Sequence, residues 1–125
     1  MKAKETGRLG EEYTARQLCK DGYTILARNF YSRYGEIDIV AKRGEILAFV
    51  EVKTRSLNAL DRPGAWVDVR KRRKLTAAAR DYLLAHPEDL QPRFDVAEVL
   101  VFSGPHFQVA DYQYIEGAFF VDETD

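Results

Sequence analysis

The stretch GEIDIVAKRGEILAFVEVKTR, from Gly35 to Arg55, holds two runs of β-forming residues separated by the turn-forming pair Arg43-Gly44. This arrangement predicts a β-hairpin. Because side chains alternate between the two faces of a strand, the second run has one wholly apolar face. Its other face begins with apolar residues but ends with Glu51 and Lys53. We therefore expect both faces to be covered, with a polar site where this strand ends.

The register of the hairpin determines which charged side chains meet. A two-residue turn at the Arg-Gly pair would place Asp38 opposite Phe49. Asp38, Glu51 and Lys53 would then project from one face, with Asp38 and Glu51 as diagonal neighbours about 7–8 Å apart at the backbone. This register predicts a cluster of two carboxylates and one ammonium group at the end of the strand.

Such a cluster favours a metal-assisted hydrolytic site. Two carboxylates at that separation can share one hard cation, because Mg²⁺ prefers oxygen ligands. A nearby lysine can orient a water molecule and stabilise the negative charge that develops on a phosphodiester. The alternative is an ordinary Glu–Lys surface pair at a frayed strand end, since the short pattern D…E-x-K often occurs by chance.

The remaining segments alternate between helical and extended patterns. Glycine at Asp21-Gly22 and proline at His86-Pro87 are typical of helix ends. The predicted segments are helix 8–20, strand 23–30, hairpin strands 36–42 and 45–55, loop 56–66, helix 69–85, and strands 93–102 and 107–114. This order, αβββαββ, indicates a single α/β domain over residues 1–125, with a central mixed β-sheet flanked by helices.

The composition narrows the classes of function. The chain has 125 residues and a formal net charge of −1, so an anionic partner would have to be met by a local basic patch. It contains no apolar run of transmembrane length and no signal-peptide core, which predicts a cytoplasmic protein with no membrane partner. A single cysteine, Cys19, excludes an internal disulfide, and we expect it to be a small core residue rather than a nucleophile.

Three motifs, GEIDIVA, FVEVKTR and RFDV, resemble those of the YraN family of predicted endonucleases. The resemblance extends from GRLGEEYTARQLCKDGYTILARN through KRRKLTAAARDYL to the closing strands. That family is assigned to the restriction-endonuclease-like PD-(D/E)XK superfamily, whose better-understood members include archaeal Holliday-junction resolvases. By this similarity, Asp38, Glu51 and Lys53 match the aspartate, glutamate and lysine of the catalytic motif.

The resemblance implies a restriction-endonuclease-like fold and a metal-dependent nuclease that hydrolyses the phosphodiester bonds of DNA. Asp38 and Glu51 would hold Mg²⁺ or Mn²⁺, with the Val52 carbonyl as a further ligand, and Lys53 would position the attacking water. The likeness to resolvases also implies a branched or otherwise structured DNA substrate and a homodimer. RNA and single-stranded DNA stay open as substrates.

In the junction resolvases, a further glutamate from the first helix joins the metal site. It follows a glycine by four residues and precedes a Gly-aromatic pair at the end of the helix. Gly7, Glu11 and Gly22-Tyr23 fit that pattern, which selects Glu11 over Glu12. Helical periodicity also places Glu11 on the inward-facing stripe that includes Leu18. The alternative is that Glu11 is a first-turn acid that stabilises the helix dipole.

The second predicted helix opens with five consecutive basic residues, Arg70 to Lys74. Lys71 shares a helical stripe with Leu75 and Tyr82, so we expect it to reach the active site. Cations oppose the dipole at a helix N-terminus, which favours an anionic partner such as phosphate. The expected nucleic-acid-binding residues are Arg55, Arg70, Lys71, Arg73 and Lys74. The alternative is a solvated run of charges.

Two acids and the activity itself stay open at this point. Glu36 could join the site or pair with a cation, and Asp95 in RFDV could belong to the site or make structural hydrogen bonds. The main rival to a nuclease is a nucleic-acid-binding or partner-binding module with little or no turnover. A second rival is a structural protein whose acids and lysine form an ion-pair network, which predicts no binding of divalent metal.

Overall fold

A computed structural model describes residues 2–57 and 69–119 of the chain. Within these residues, helices and strands follow the predicted order αβββαββ. They are α1 (Ala3–Lys20), β1 (Thr24–Ser32), β2 (Gly35–Arg43), β3 (Ile46–Ser56), α2 (Val69–Ala85), β4 (Gln91–Val101) and β5 (Val109–Phe119). The predicted limits of α2 are confirmed, whereas α1 begins earlier than expected and β5 ends later. Most of the predicted loop 56–66 lies outside the described residues.

The strands of the described part form one mixed sheet in the order β1-β2-β3-β4-β5. Neighbouring strands are antiparallel except β3 and β4, which pair in parallel. A parallel pair needs a crossover connection, and α2 lies in the segment that joins these two strands. The expected mixed sheet with flanking helices is confirmed by this arrangement.

The helices pack on opposite faces of the sheet, so the central strands are covered on both sides. α1 contributes Leu18 to one apolar cluster, which includes Val50 of β3. α2 contributes Leu75 and Tyr82 to the cluster on the other face, which includes Phe49 of β3. Both faces of β3 are therefore buried as far as Val50, and polar residues follow in the second half of the strand.

The hairpin register differs from the predicted one. The two-residue loop is Gly44-Glu45 rather than Arg43-Gly44, so Arg43 pairs with Ile46. Gly44 has φ +58°, the positive value that a type II′ loop requires at its first central residue. The glycine therefore occupies the first position of the loop and shifts the pairing by two residues. Because the shift is even, the faces from which the side chains of β3 project are unchanged.

The side-chain alternation of β1 and β2 is interrupted in the middle of their pair. Ile39 packs in the cluster under α1, whereas Ile37, two residues earlier, packs in the cluster under α2. Asn29 of β1 lies between the partners of these two residues and has φ +52°. This left-handed conformation is rare for residues other than glycine, and it interrupts the pleat. As a result Glu36, next to Ile37, turns towards the α1 side of the sheet.

Gly10 allows α1 to approach β3 closely. A Cβ atom at this position would lie 1.9 Å from Oγ1 of Thr54, so a larger residue fits only if the Thr54 side chain or the helix shifts. The Gly10 carbonyl also accepts a hydrogen bond from the buried Thr14 hydroxyl at 2.9 Å. The close approach of Gly10 to Thr54 sets the distance between α1 and the sheet, and with it the position of the adjacent residue, Glu11.

The inward face of α1 agrees with the predicted stripe at Ala15 and Leu18, which are buried. Cys19, in contrast, is exposed, so the expectation that it is a core residue is wrong. The physical reason is helical geometry, since Cys19 lies about 100° further round the helix than Leu18 and turns away from the sheet.

No helix in the described part of the chain is long and apolar enough to cross a membrane.

Asp95 joins β4 to its neighbours through a buried network, and it is only 1% exposed. Its carboxylate accepts two hydrogen bonds from Arg93 at 2.8 Å, one from the Gly117 N–H at 2.9 Å and one from the Tyr114 hydroxyl at 2.5 Å. Arg93 also donates to the hydroxyl of Tyr23. These donors satisfy Asp95, so the structural alternative accounts for this residue.

Candidate active site

Glu51 and Lys53 lie where β3 leaves the apolar core. Phe49 precedes them on the same face and packs under α2. The Glu51 residue is 8% exposed, whereas the side chain of Lys53 is 29% exposed. The carboxylate of Glu51 is therefore largely removed from water, while the lysine two residues later reaches towards it from the rim.

Asp38 reaches β3 from the neighbouring strand β2. Its Oδ2 atom accepts a hydrogen bond from the N–H of Val52 at 2.8 Å. The last backbone pair of the two strands is Ile39 with Val50, so this side-chain contact follows directly on the regular pairing. Asp38 and Glu51 line one cleft with a volume of about 560 Å³. The structure thus brings together the two carboxylates of the D…E-x-K pattern.

Lys71 brings a positive charge to these carboxylates from α2. Its Nζ atom donates to Oε1 of Glu51 at 2.6 Å, whereas Nζ of Lys53 lies 3.8 Å from the same oxygen. Burial is the largest single influence on the pKa of Lys71 and lowers it. The hydrogen bonds to Glu51 and Lys53, together with the charges of Glu51 and Asp38, outweigh burial and leave that pKa raised. Burial, and then the nearby Lys71, lower the pKa of Lys53. Two ammonium groups therefore compete for one carboxylate, and Lys71 makes the closer contact.

Two further carboxylates, Glu11 of α1 and Glu36 of β2, meet at the side chain of Asn29. With its amide nitrogen turned towards them, Asn29 donates to Oε1 of Glu11 at 2.9 Å and to Oε1 of Glu36 at 2.6 Å. The opposite orientation would aim the amide oxygen at acceptors alone. The left-handed backbone of Asn29 thus accompanies a neutral donor placed between two acids.

The four carboxylates influence one another through their charges. Burial and the charge of Glu51, then those of Glu11 and Glu36, raise the pKa of Asp38 to about 7. Burial also raises the pKa of Glu11, and the charges of Glu36 and Glu51 add to this effect. Ionising the whole cluster is therefore unfavourable without additional positive charge.

The donor set fits a divalent cation that prefers oxygen ligands. Asp38 and Glu51 present carboxylates to one cleft, and the Val52 carbonyl belongs to the same stretch of β3. Across residues 2–57 and 69–119, no three His, Cys, Asp or Glu side chains are grouped as a ready-made metal site. An ion here would therefore rest on two carboxylates, with water or phosphate oxygens as its other ligands, which is how Mg²⁺ is commonly held.

The predicted nucleic-acid-binding residues fall into two groups. Arg70, Lys71 and Lys74 line the cleft of Asp38 and Glu51. Among the described residues, Arg73 and Arg55 are not part of that lining. Arg73 is exposed on α2, and Arg55 is partly buried further along β3. The basic end of α2 is therefore the part of the predicted surface that lies nearest the acids.

Asn29 and Glu98 are two residues near the site that sequence reasoning did not single out. Glu98 is 3% exposed and lies beside Lys53 in the parallel β3–β4 pair, on the same face. A lone acid within the apolar run VAEVLV was the available signal for Glu98. The only signal for Asn29 was the tolerance of asparagine for left-handed backbone.

Comparison with known families identifies close relatives of the chain. Residues 10–99 match the family described as "Uncharacterised protein family UPF0102". A UPF0102 protein of Synechococcus sp. (strain JA-3-3Ab) is 41% identical over 118 residues, which cover 91% of this chain and 89% of that protein. A UPF0102 protein of Chlorobium chlorochromatii (strain CaD3) is 38% identical over 121 residues, which cover 95% and 94% respectively.

A third relative, a UPF0102 protein of Syntrophomonas wolfei, is 43% identical over 102 residues, covering 81% of this chain and 89% of that protein. The family match over residues 10–99 includes both hairpin strands, α2 and most of β4. It therefore contains Asp38, Glu51, Lys53 and Lys71. The family resemblance seen in the motifs is thus confirmed. The chain belongs to the uncharacterised protein family UPF0102.

Proposed function

We propose that the protein is a metal-dependent nuclease that hydrolyses the phosphodiester bonds of DNA. The observation that carries this proposal is the meeting of Asp38, Glu51 and Lys71 in one cleft, with Lys53 at its rim. Partly buried carboxylates that repel one another raise the free energy of the folded protein. Groups in such unfavourable surroundings are concentrated at functional sites, where a cation or a substrate makes use of them.

Each residue of the site would have a distinct role in hydrolysis. Asp38 and Glu51 would hold Mg²⁺ or Mn²⁺, with the Val52 carbonyl as a further ligand and Glu11 as an outer contact. When bound, the ion would polarise the phosphodiester as a Lewis acid. Lys53 would hold the attacking water, whose oxygen bonds to phosphorus as the ester P–O bond breaks. The departing oxygen takes up the proton that the water releases.

The cations of α2 would hold the phosphate backbone beside this chemistry. Arg70 and Lys74 line the same cleft as Asp38 and Glu51. Contacts of this kind position a nucleic acid without reading its sequence. They also explain how a chain with a formal net charge of −1 could attract a polyanion, because the positive charge is local.

The fold proposal goes with the functional one. The element order αβββαββ, with Asp38 on β2 and both Glu51 and Lys53 on β3, supports membership of the restriction-endonuclease-like class. A branched DNA substrate and a homodimer follow from the resemblance to junction resolvases, and they form the less direct part of this proposal.

A second candidate is a nucleic-acid-binding or partner-binding module with little or no turnover. The 2.6 Å contact between Nζ of Lys71 and Oε1 of Glu51 favours it, because this contact neutralises Glu51 without a metal ion. Such a module would bind nucleic acid equally well with and without Mg²⁺ and would cleave no strand.

Strand cleavage distinguishes the two candidates. Labelled branched, duplex and single-stranded DNA would be incubated with the protein in Mg²⁺, in Mn²⁺ and in EDTA. We expect metal-dependent cleavage that falls roughly 100-fold or more in Asp38→Asn and Glu51→Gln. Glu12→Gln is the matched control, because Glu12 neighbours Glu11 but pairs with Arg8 at 2.9 Å on the surface of α1. Binding without cleavage of any of the three substrates would favour the second candidate.

A further inference from the structure

A second cleft adjoins the acidic residues on the α1 side of the sheet. Its volume is about 620 Å³, and its lining includes Glu11, Asn29 and Glu36. Glu36 also lines the cleft that contains Asp38 and Glu51. The two clefts therefore meet at Glu36, and an extended ligand could occupy both while passing over the carboxylates.

Tyr31 supplies an aromatic face to this second cleft. The residue is 73% exposed, and it lies directly opposite Glu36 in the β1–β2 pair. One exposed tyrosine is ordinary on a protein surface, so exposure alone does not indicate a binding role for Tyr31. Its position does indicate one, because the ring lies beside Glu36, an acid that borders the proposed reaction centre.

Positive charge accompanies the ring. Lys2, Lys4 and Arg8 also line the second cleft, as does the acid Glu5. Arg8 is engaged by Glu12, so the two lysines are the cations best placed to meet an anionic ligand. With the basic end of α2 on the far side, cations stand on both sides of the acidic cluster. Recognition of single-stranded nucleic acid combines two elements. Cations lie along the phosphate backbone, and an aromatic side chain stacks on a base.

We infer that Tyr31 stacks on a nucleobase next to the scissile phosphate, and that the substrate carries unpaired nucleotides on that side of the cut. This inference rests on the proposed nuclease function and narrows its substrate. Within continuous duplex DNA both faces of each base are covered by neighbouring bases. A fully paired strand could reach Tyr31 only by unstacking, whereas a single-stranded segment or the arm of a branch presents a base directly.

Equilibrium binding of fluorescein-labelled DNA tests the inference, with Glu51→Gln as the non-cleaving parent protein. We expect the additional change Tyr31→Ala to weaken binding of single-stranded DNA roughly 5- to 150-fold, the range of one base–aromatic stack. Tyr31→Phe should stay within about twofold of the parent, because the phenyl ring still stacks. Blunt duplex of the same sequence should change less than about twofold in both variants.

Tyr34→Ala is the matched control. Tyr34 belongs to the same hairpin end and is 39% exposed, but its hydroxyl accepts a hydrogen bond from Arg33 and, among the described residues, it is not in the cleft lining. Single-stranded DNA binding that is unchanged in Tyr31→Ala would overturn the inference. An equal loss on single strands and blunt duplex would also overturn it.

Cleavage assays separate failure of this inference from failure of the proposed function. An unmodified protein that cuts DNA, together with a Tyr31→Ala variant that binds and cuts single strands normally, would remove the inference alone. An unmodified protein that cuts nothing, while Tyr31→Ala still loses single-strand binding, would remove the nuclease and leave a binding module that uses Tyr31.

Discussion

At the scale of single residues, the environment of Asp38 should make the stability of the protein depend on pH. Burial and the charge of Glu51 raise its pKa from 3.8 to about 7 in the folded protein. Between these two values the folded state keeps a proton that the unfolded state has lost. The free energy of unfolding should therefore fall as pH rises from about 4 to about 7, and this contribution should be constant at higher pH.

Asp38→Asn tests this electrostatic cost. Asparagine keeps an oxygen that can accept the hydrogen bond from the Val52 N–H but carries no charge. In metal-free buffer we expect the variant to match the unmodified protein near pH 4 and to exceed its stability by on the order of 2–4 kcal/mol at pH 8. Urea denaturation with EDTA at several pH values measures the difference. A difference that does not grow with pH would contradict the account.

Lys71 is the second residue with a distinct prediction, because its ammonium lies where a metal ion would compensate Glu51. We expect Lys71→Met to lower the free energy of unfolding without metal by about 1–2 kcal/mol, since Glu51 loses its closest cation. The same change should tighten Mn²⁺ binding, because the ion no longer competes with an ammonium group. Chemical denaturation and Mn²⁺ titration measure the two effects.

Lys74→Met provides the comparison for Lys71. Lys74 lines the same cleft but is exposed, so we expect its loss to change stability by less than about 0.5 kcal/mol. Weaker Mn²⁺ binding in Lys71→Met than in Lys74→Met would mean that Lys71 supports the ion rather than competing with it.

At the scale of elements, the contact between α1 and β3 determines where Glu11 stands. A methyl group at Gly10 would meet Oγ1 of Thr54 at 1.9 Å, whereas one at Gly7 would meet nothing within 4 Å. We expect Gly10→Ala to destabilise the protein by about 1–3 kcal/mol through overpacking. Gly7→Ala should stabilise it by about 0.5–1 kcal/mol through helix propensity. Thermal and urea denaturation of the pair would contradict this packing if the two variants proved equally stable.

The sequence predicted the order of these elements because their patterns are local. The stripe of Leu75 and Tyr82 indicated the buried face of α2, and the pair His86-Pro87 indicated its C-terminal end. The hairpin loop was misplaced by one residue, because the prediction put Gly44 second in the loop. A type II′ loop needs its glycine at the first position, which makes Gly44-Glu45 the loop and sets the register.

At the scale of the whole molecule, the contacts between distant segments could not be predicted from the sequence. The network around Asp95 joins β4 to Tyr114 of β5 and, through Arg93, to Tyr23, the residue before β1. RFDV alone could not separate a structural aspartate from a site residue, because its partners lie far away in the chain. The second cleft was equally hidden, since it depends on how the N-terminal part of α1 meets the end of the β1–β2 hairpin.

The candidate site was more accessible to sequence reasoning than these networks. Asp38, Glu51 and Lys53 lie on adjacent strands of one hairpin, so strand alternation alone brings them near one another. Lys71 required only the helical stripe that begins with it. Asn29 could not be predicted as a neighbour of Glu11, because the two residues belong to different elements and local sequence does not fix a left-handed conformation at Asn29.

The most direct test of the metal-dependent active site is a calorimetric titration of the whole protein with Mn²⁺, with and without single-stranded DNA. We predict that each chain binds one ion. Binding should be abolished in Glu51→Gln and retained in Glu12→Gln. Absence of binding to the unmodified protein, even with DNA present, would contradict the claim that Asp38 and Glu51 form a metal-dependent active site.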